Sequence, residues 1–156
     1  MKTLHNPQMW LVTVGFLAGL ALGLGTVTVL ASSPRKYIQV PGRSIASPVS
    51  DAVLVGDTLY VGGRLGFDAV GKLPPDFPGE AKAVLESVKS VLAAANMTMD
   101  DIVSVQVFCT DLSLFDSWNV VYRAYFGHDL PARAFIGASS LLRGAHVEMT
   151  VIAVKR

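Results

Sequence analysis

Two ionisable residues near the C-terminal end, Arg133 and Glu148, are the side chains best suited to chemistry on a small acid. Pro131 fixes its own φ and disfavours helical geometry in the residue before it, so the chain reaches Arg133 in an extended path. A guanidinium presents a planar fork of donors that matches a carboxylate or a phosphate. Arg133 is therefore a candidate anion clamp, although an ordinary surface arginine at the start of a strand fits the same residues.

Glu148 belongs to a segment, residues 145–155, that is predicted to be the last strand. Because strand side chains alternate, His146 and Glu148 fall on one face while Val147 and Met149 fall on the other. One face of the strand is therefore expected to be buried, and the other carries the polar pair. His146 and Glu148 without a convergent third ligand do not make a metal site, and no metal is expected.

A hairpin between residues 134–138 and 145–155 would bring Arg133 and Glu148 within a few residues of each other. An arginine that holds a carboxylate, next to a glutamate that polarises a water molecule, is a minimal site for hydrolysis of a small acid. A cross-strand salt bridge between the same two side chains is the alternative, and the residue types do not choose between them. The sequence contains no glycine-rich phosphate loop, nucleophile elbow or zinc-cysteine pattern.

The composition restricts the class of protein. The chain of 156 residues is about one domain long, and its net charge of +1 gives no electrostatic reason to expect a nucleic acid partner. Because Cys109 is the one cysteine, an internal disulfide is excluded, and its apolar neighbours predict a small buried side chain.

The excess of hydrophobic residues is concentrated in residues 9–31, which carry no charged side chain. A run of about 20 apolar residues is long enough to span a bilayer. Residues 1–33 are therefore predicted to be a hydrophobic signal or anchor segment with its linker, in contact with the membrane, and residues 34–156 the folded domain. A cleaved signal peptide and an uncleaved anchor both fit, so the domain is expected to be either exported or membrane-associated.

The elements that position Arg133 and Glu148 follow from local patterns. Residues 52–55 and 58–61 predict a hairpin that ends at Gly62-Gly63. Residues 79–95 predict a helix that puts Glu80 opposite its apolar stripe, and residues 102–109 predict a strand. A second helix and a final hairpin follow. This order predicts an α+β two-layer sandwich, with two helices on one face of a mixed sheet of about six strands.

Several phrases together resemble the Rid family of reactive-intermediate deaminases, and its RidA (YjgF-like) branch most closely. They occur in the family's order over about residues 36–156. They are residues 48–53, 56–61, 71–74 and 103–111, Gly63, Asn119, Tyr122, Phe126, the Leu130-Pro131-Ala132-Arg133 phrase, Val147-Glu148 and residues 152–154.

The resemblance implies a chorismate mutase-like fold that assembles as a homotrimer with a ligand cleft at each subunit interface. It implies hydrolysis of enamines and imines such as 2-aminoacrylate to 2-oxo acids and ammonia, without metal or organic cofactor. By the same resemblance Arg133 binds the substrate carboxylate and Glu148 positions the attacking water or the imine nitrogen. Gly63, Asn119 and Phe135 are then expected to complete the substrate-binding site.

Three residues depart from the family pattern. Val49 stands where a tyrosine is common, Gly62 where a serine is common and Phe135 where a cysteine is frequent. These changes predict a less polar and differently shaped pocket. They motivate an alternative, a Rid-fold module that binds a small acid or a protein partner without turnover, and a purely structural membrane-tethered trimer is the third possibility.

Overall fold

The computed structural model describes residues 34–41, 48–68, 70–127 and 129–156, which form a six-stranded sheet and two helices. Residues 1–33 lie outside the described residues, so the signal or anchor segment stays a prediction. Within the described ranges, neither helix combines the length and the apolar character needed to cross a bilayer. The elements in chain order are β1 (Arg35–Ile38), β2 (Ala52–Val55), β3 (Thr58–Leu65), α1 (Phe77–Ala94), β4 (Ile102–Cys109), α2 (Phe115–Arg123), β5 (Ala132–Gly137) and β6 (Val147–Val154).

The strand order across the sheet is β1-β2-β3-β6-β4-β5. β4 and β5 pair in parallel, and the other neighbours pair in antiparallel, so the expected mixed α+β sheet is confirmed. The expected final hairpin is wrong, because β6 lies between β3 and β4 and does not adjoin β5. α2 supplies the crossover that a parallel pair of strands requires, and the chain then crosses back to insert β6.

The core lies between one face of the sheet and the two helices. Leu59, Val107 and Met149 from the sheet are fully buried there, together with Leu85 from α1 and Trp118 from α2. Helices therefore cover this side, which we call the helix-covered face. The opposite side, the open face, carries the alternate residues of the same strands.

The open face presents a row of apolar side chains to solvent. Tyr37, Val53, Tyr60 and Ile152 face one another in register across β1, β2, β3 and β6. Tyr60 is 50% exposed and Ile152 is 36% exposed. Exposed apolar patches on folded domains commonly mark interaction sites, so the open face is a candidate contact surface.

The Gly62-Gly63 pair does not end β3 as expected, because the strand continues to Leu65. The register against β6 shifts between Val61 and Arg64, so the two glycines form a bulge within the strand. Beyond the bulge, the Arg64 guanidinium contacts the buried Asp51 carboxylate at 2.6 Å. This ion pair ties β3 to the segment before β2 and fixes the bulge in place.

α1 begins at Phe77, and the Asp76 side chain caps it by accepting the Gly79 N–H at 2.7 Å. The expectation that Glu80 faces away from the apolar stripe is wrong, because Glu80 is only 1% exposed. Glu80 stands one turn before Val84, and residues four apart share one side of a helix. A carboxylate is therefore built into the buried side of α1.

Candidate active site

Arg133 lies on β5 and points toward the helix-covered face. In the parallel register, Arg133 lies opposite Val105 and Phe135 lies opposite Val107. Both valines are buried against the helices, and side chains of paired residues project to the same side of a sheet. The arginine predicted from sequence is therefore held between β5 and α2.

Three side chains of α2 hold the Arg133 guanidinium. Its Nη2 donates to Oδ1 of Asn119 at 2.6 Å. Its Cζ lies 4.5 Å from the ring centroid of Tyr122 and 5.6 Å from that of Phe115. Stacking of this kind orients a guanidinium and leaves its other N–H groups available to an anion. The structure thus brings Arg133 and Asn119 together, as the site prediction requires.

Phe135 lies two residues beyond Arg133 on the same face, and its ring packs against α2. It makes an edge-on contact with Phe115 at a centroid distance of 5.1 Å, and the Trp118 ring lies 6.5 Å away. Such aromatic pairs contribute about 0.5–1.5 kcal/mol beyond the area that they bury. An aromatic wall therefore stands beside the guanidinium, at the position where the family frequently has a cysteine.

Tyr122 is a neutral support for Arg133. Burial raises the pKa of Tyr122 to about 12, and the charge of Arg133 offsets part of that effect. Among the described residues, the Tyr122 hydroxyl and Trp118 Nε1 are buried polar atoms without a hydrogen-bond partner. The tyrosine ring therefore faces the cation as an uncharged aromatic surface throughout the physiological range of pH.

Glu148 lies on β6 and points toward the open face. It pairs with Leu65 on β3 and with Phe108 on β4, whereas its neighbours Val147 and Met149 are buried toward the helices. The Glu148 carboxylate lies directly over Gly63, where a Cβ on residue 63 would overlap Oε1. Gly63 and Glu148, both predicted as site residues, are therefore in contact.

Arg133 and Glu148 do not meet within one chain. They project from opposite faces of the sheet, and β4 separates their strands. The proximity expected from a hairpin is wrong, because the hairpin does not form. The alternative of a cross-strand salt bridge between the same two residues fails for the same reason.

A cavity of about 450 Å³ opens near the start of β5, and neither Arg133 nor Glu148 lines it. Ala132 and Leu130 from the approach to β5 line it together with Val154 from the end of β6. Within the ranges described above, His, Cys, Asp and Glu side chains form no group of three or more that could hold a metal ion. The candidate site therefore consists of two halves, each built on its own face of the sheet.

Sequence patterns missed two groups of side chains at the candidate site. Phe115 and Tyr122 recur with the predicted Asn119 at helical spacing on α2, and this spacing could have indicated that all three face Arg133. The second group is the pair formed by Glu80 and His146, whose Oε2 and Nδ1 atoms are 2.8 Å apart. These residues are 66 positions apart, so no local pattern relates them.

Comparison with known proteins adds independent information. The family model described as Endoribonuclease L-PSP matches residues 42–155. The 2-iminobutanoate/2-iminopropanoate deaminases of Bos taurus and Capra hircus are 37% and 39% identical over 129 residues, which cover 81% of this chain and 94% of each relative.

Solved structures show the same fold. RidA from a Psychrobacter species superposes with a TM-score of 0.72 at 35% identity and covers 76% of this chain and 98% of its own. Escherichia coli TdcF with bound serine has a TM-score of 0.72 at 28% identity and covers 78% of this chain and 99% of its own. The residues that the family model matches contain β2 to β6, both helices, Arg133 and Glu148.

Proposed function

Because this chain belongs to the Endoribonuclease L-PSP family, which includes the RidA proteins, we propose that it hydrolyses reactive imines and enamines of amino acids. The substrates are of the 2-aminoacrylate type, and the products are 2-oxo acids and ammonia. The observation that carries the proposal is the Arg133 guanidinium, which Asn119 and the Tyr122 ring hold ready for a carboxylate. Relatives named as imine deaminases at 37–39% identity support the reaction class.

The proposed reaction needs only water and two side chains. Arg133 binds the carboxylate of the imino acid through its free N–H groups. An enamine first gains a proton at carbon and loses one from nitrogen, which gives the imine. Water adds to the carbon of the C=N bond while Glu148 accepts a proton from the water and passes it to the nitrogen, so that a carbinolamine forms. The hydroxyl proton of the carbinolamine then moves to the nitrogen through Glu148, the C–N bond breaks, and the 2-oxo acid and ammonia are released. Gly63 and Phe135 complete the substrate-binding surface.

The site is proposed to form between subunits of a homotrimer. Arg133 and Glu148 lie on opposite faces of one sheet, so a site that uses both draws them from different chains. The exposed apolar row on the open face, which includes Tyr60 and Ile152, supports packing of one copy on another. In a cyclic trimer each interface then contributes one complete site.

The test adds the purified full-length chain to an enzyme that generates 2-aminoacrylate and follows the decay of the imine. We expect faster decay at micromolar protein, and a loss of about 100-fold in Arg133→Ala because a charge-assisted contact to the substrate disappears. Arg123→Ala removes an exposed arginine at the end of α2 that makes no described contact with Arg133 and is the matched control. No acceleration by the wild-type chain, or full activity in Arg133→Ala, contradicts the proposal.

The alternative function is binding of a small acid or a protein partner without turnover. Val49, Gly62 and Phe135 favour it, because each replaces a polar group that is common in the family. The Phe135 ring packs at 5.1 Å from Phe115 and leaves an apolar wall beside Arg133. Calorimetry that detects binding of a 2-oxo acid dependent on Arg133, without imine hydrolysis, selects this alternative.

Residues 1–33 are proposed to anchor the protein in a membrane or to export it. The support is the uncharged run of residues 9–31. N-terminal sequencing of the protein recovered from a membrane fraction separates the two, because an anchored chain starts at Met1 and an exported chain starts near Ser32. Recovery of the uncleaved chain from the soluble fraction contradicts both.

A further inference from the structure

The buried carboxylate of Glu80 is bonded to the residues that immediately precede Glu148. Its Oε1 accepts the backbone N–H groups of His146 at 2.7 Å and Val147 at 3.1 Å. Its Oε2 lies 2.8 Å from Nδ1 of the His146 ring. Burial of an ionised carboxylate is costly unless its oxygens are hydrogen-bonded, and here both are. One side chain of α1 therefore fixes the point at which β6 begins.

Close packing leaves Glu80 no other position. A Cβ on Gly66 would lie 2.6 Å from the Glu80 carbonyl oxygen and 2.7 Å from its Cγ, so the backbone after β3 touches the start of α1 directly. Three residues earlier, Gly63 leaves room for the Glu148 carboxylate. The same stretch of backbone thus contacts one glutamate residue on each face of the sheet. The Glu80 carboxylate in turn accepts hydrogen bonds from the two residues before Glu148.

His146 is the solvent-exposed member of the pair that it forms with Glu80. Its side chain is 57% exposed, whereas that of Glu80 is 2% exposed. Histidine is the side chain whose charge ordinarily changes between about pH 5 and 8. With a carboxylate at Nδ1, the ring donates the same hydrogen bond whether it is neutral or protonated. The glutamate thus keeps the contact intact on both sides of the transition.

The other titratable groups at this end of the sheet are Cys109, Asp111, Arg143 and Glu148. Burial raises the pKa of the Cys109 thiol, and the charges of Asp111 and Glu80 add to the effect. Hydrogen bonds from Ser113 lower the pKa of Asp111. The guanidinium of Arg143, in the turn before β6, lies 5.9 Å from the Phe67 ring centroid. The shifts at Cys109 and Asp111 move their pKa values away from the range of pH in which a histidine ordinarily titrates.

We propose that Glu80 and His146 are positioning residues for Glu148, and that the carboxylate of Glu80 keeps the start of β6 in place whatever the charge of His146. The inference rests on the proposed role of Glu148 in imine hydrolysis and adds two residues that do not touch the substrate. Their effect on the reaction is indirect, through the backbone of residues 146–148.

Glu80→Gln is the informative variant. Glu80→Ala leaves two backbone donors buried without an acceptor and destabilises the fold itself. In Glu80→Gln the amide oxygen still accepts both backbone N–H groups, which turns the amide NH₂ toward Nδ1 of His146. A neutral ring can accept that hydrogen bond, but a protonated ring opposes donor to donor. The variant should therefore match the wild type near pH 8 and lose activity at acid pH.

The expected loss is in kcat and reaches about 100-fold near pH 5.5, the usual effect of displacing a catalytic group by about 1 Å. KM changes little, because Arg133 on the other face still binds the carboxylate. The double variant Glu80→Gln, His146→Gln should regain a wild-type pH profile, since no ring is left to protonate. Glu86→Gln, on the exposed side of the same helix, is the matched control and should not change the profile.

A second measurement does not depend on activity. Amide hydrogen exchange at residues 146–148 should be slow in the wild type at both pH values and should accelerate in Glu80→Gln at acid pH. Nitrogen NMR of the neutral ring should show the proton on Nδ1 in the wild type and on Nε2 in Glu80→Gln. An inactive wild type with these NMR results contradicts the imine chemistry but not the arrangement. Equal pH profiles and equal exchange in wild type and Glu80→Gln overturn this inference.

Discussion

The helix-covered face and the open face of the sheet carry different halves of the candidate site, and they hold them differently. On the helix-covered face, the half-buried Arg133 is fixed by a hydrogen bond to Asn119 and by the Tyr122 ring, which belongs to the hydrophobic core. On the open face, Glu148 lies over the bulge glycine Gly63, beside apolar side chains that solvent reaches.

This difference in support shows which half of the candidate site is fully held within one chain and which half is open to a partner. The proposed anion clamp has its supporting side chains within the chain, because Phe115, Asn119 and Tyr122 of α2 contact the guanidinium. For Glu148, the chain fixes only the position: Glu80 of α1 holds the start of β6, and the open face is uncovered in the single chain. In the proposed trimer, assembly brings the two groups together, while the chain fixes where each group lies.

The strongest test of the comparison mixes two impaired variants. Arg133→Ala and Glu148→Gln should each lower the rate of imine hydrolysis by about 100-fold as pure proteins. Co-expressed in equal amounts, they should regain about one quarter of the wild-type rate, because a quarter of randomly formed interfaces pair an intact arginine with an intact glutamate. The rate of imine decay per mole of protein is the measurement. Mixed assemblies no more active than either parent would show that both residues of a site come from the same chain.

Gly63→Ala changes only the open face of the sheet. The added Cβ overlaps Oε1 of Glu148, which is the flexible end of a side chain, so the carboxylate moves while the strand stays. We expect kcat to fall by about 100-fold, since a displacement of about 1 Å is that costly, with little change in the melting temperature.

Gly62→Ala is the matched control for this change. A Cβ at residue 62 meets the carbonyl oxygens of Asp51 and Ser50 at 3.5 Å, an ordinary contact. Its kcat should stay near that of the wild type. Equal losses of kcat in the two variants would mean that the bulge itself, and not the position of Glu148, controls the reaction.

Tyr122→Phe gives the smallest effect and tests the helix-covered face. Burial raises the pKa of Tyr122 to about 12, above the value of about 10 in an unfolded chain. Because the pKa is raised on folding, the contribution of Tyr122 to the free energy of unfolding is fully present below about pH 10 and is lost as the pH rises toward 12. The wild type should lose about 1 kcal/mol of unfolding free energy from this residue between about pH 9 and pH 11.

Urea unfolding at the two pH values measures the loss. Tyr122→Phe should show a smaller decrease, because phenylalanine has no hydroxyl to ionise. The buried hydroxyl lacks a partner among the described residues, so its removal costs little at neutral pH. An identical decrease in wild type and variant would mean that other groups, such as Tyr125, account for the alkaline loss. Burial, followed by the Glu86 contact, also raises the pKa of Tyr125 to about 12.

Local elements were largely predictable from the sequence. The strand predicted at residues 102–109 is β4, and the helix predicted at 79–95 is α1 with its start two residues earlier. Both follow from the repeat of apolar residues, which depends only on neighbours in the chain. Asn96, with a φ of 55°, follows α1 in the left-handed geometry expected of a residue that ends a helix.

Pairing between strands was not predictable in the same way. Residues 134–138 and 145–155 adjoin in sequence, and this favoured a hairpin that the structure does not contain. The order of strands in the sheet depends on how the whole sheet buries its apolar side chains and on the crossover through α2. The position of the Glu80 side chain is unpredictable for a related reason. A charged residue in a helical pattern indicates an exposed side, but here hydrogen bonds from residues 66 and 67 positions away hold the carboxylate in a buried site.

The sequence by itself determined the extended approach to Arg133, the alternation that separates Glu148 from Val147 and Met149, and the phrases of the family. The first two features depend only on neighbouring residues, and the family phrases are recognised from the order of residues along the chain. Only the tertiary structure decided that Arg133 and Glu148 project from opposite faces, and that Glu80 reaches His146 across 66 positions. Long-range packing places these groups, since sheet order and the burial of one charged side chain are properties of the whole fold.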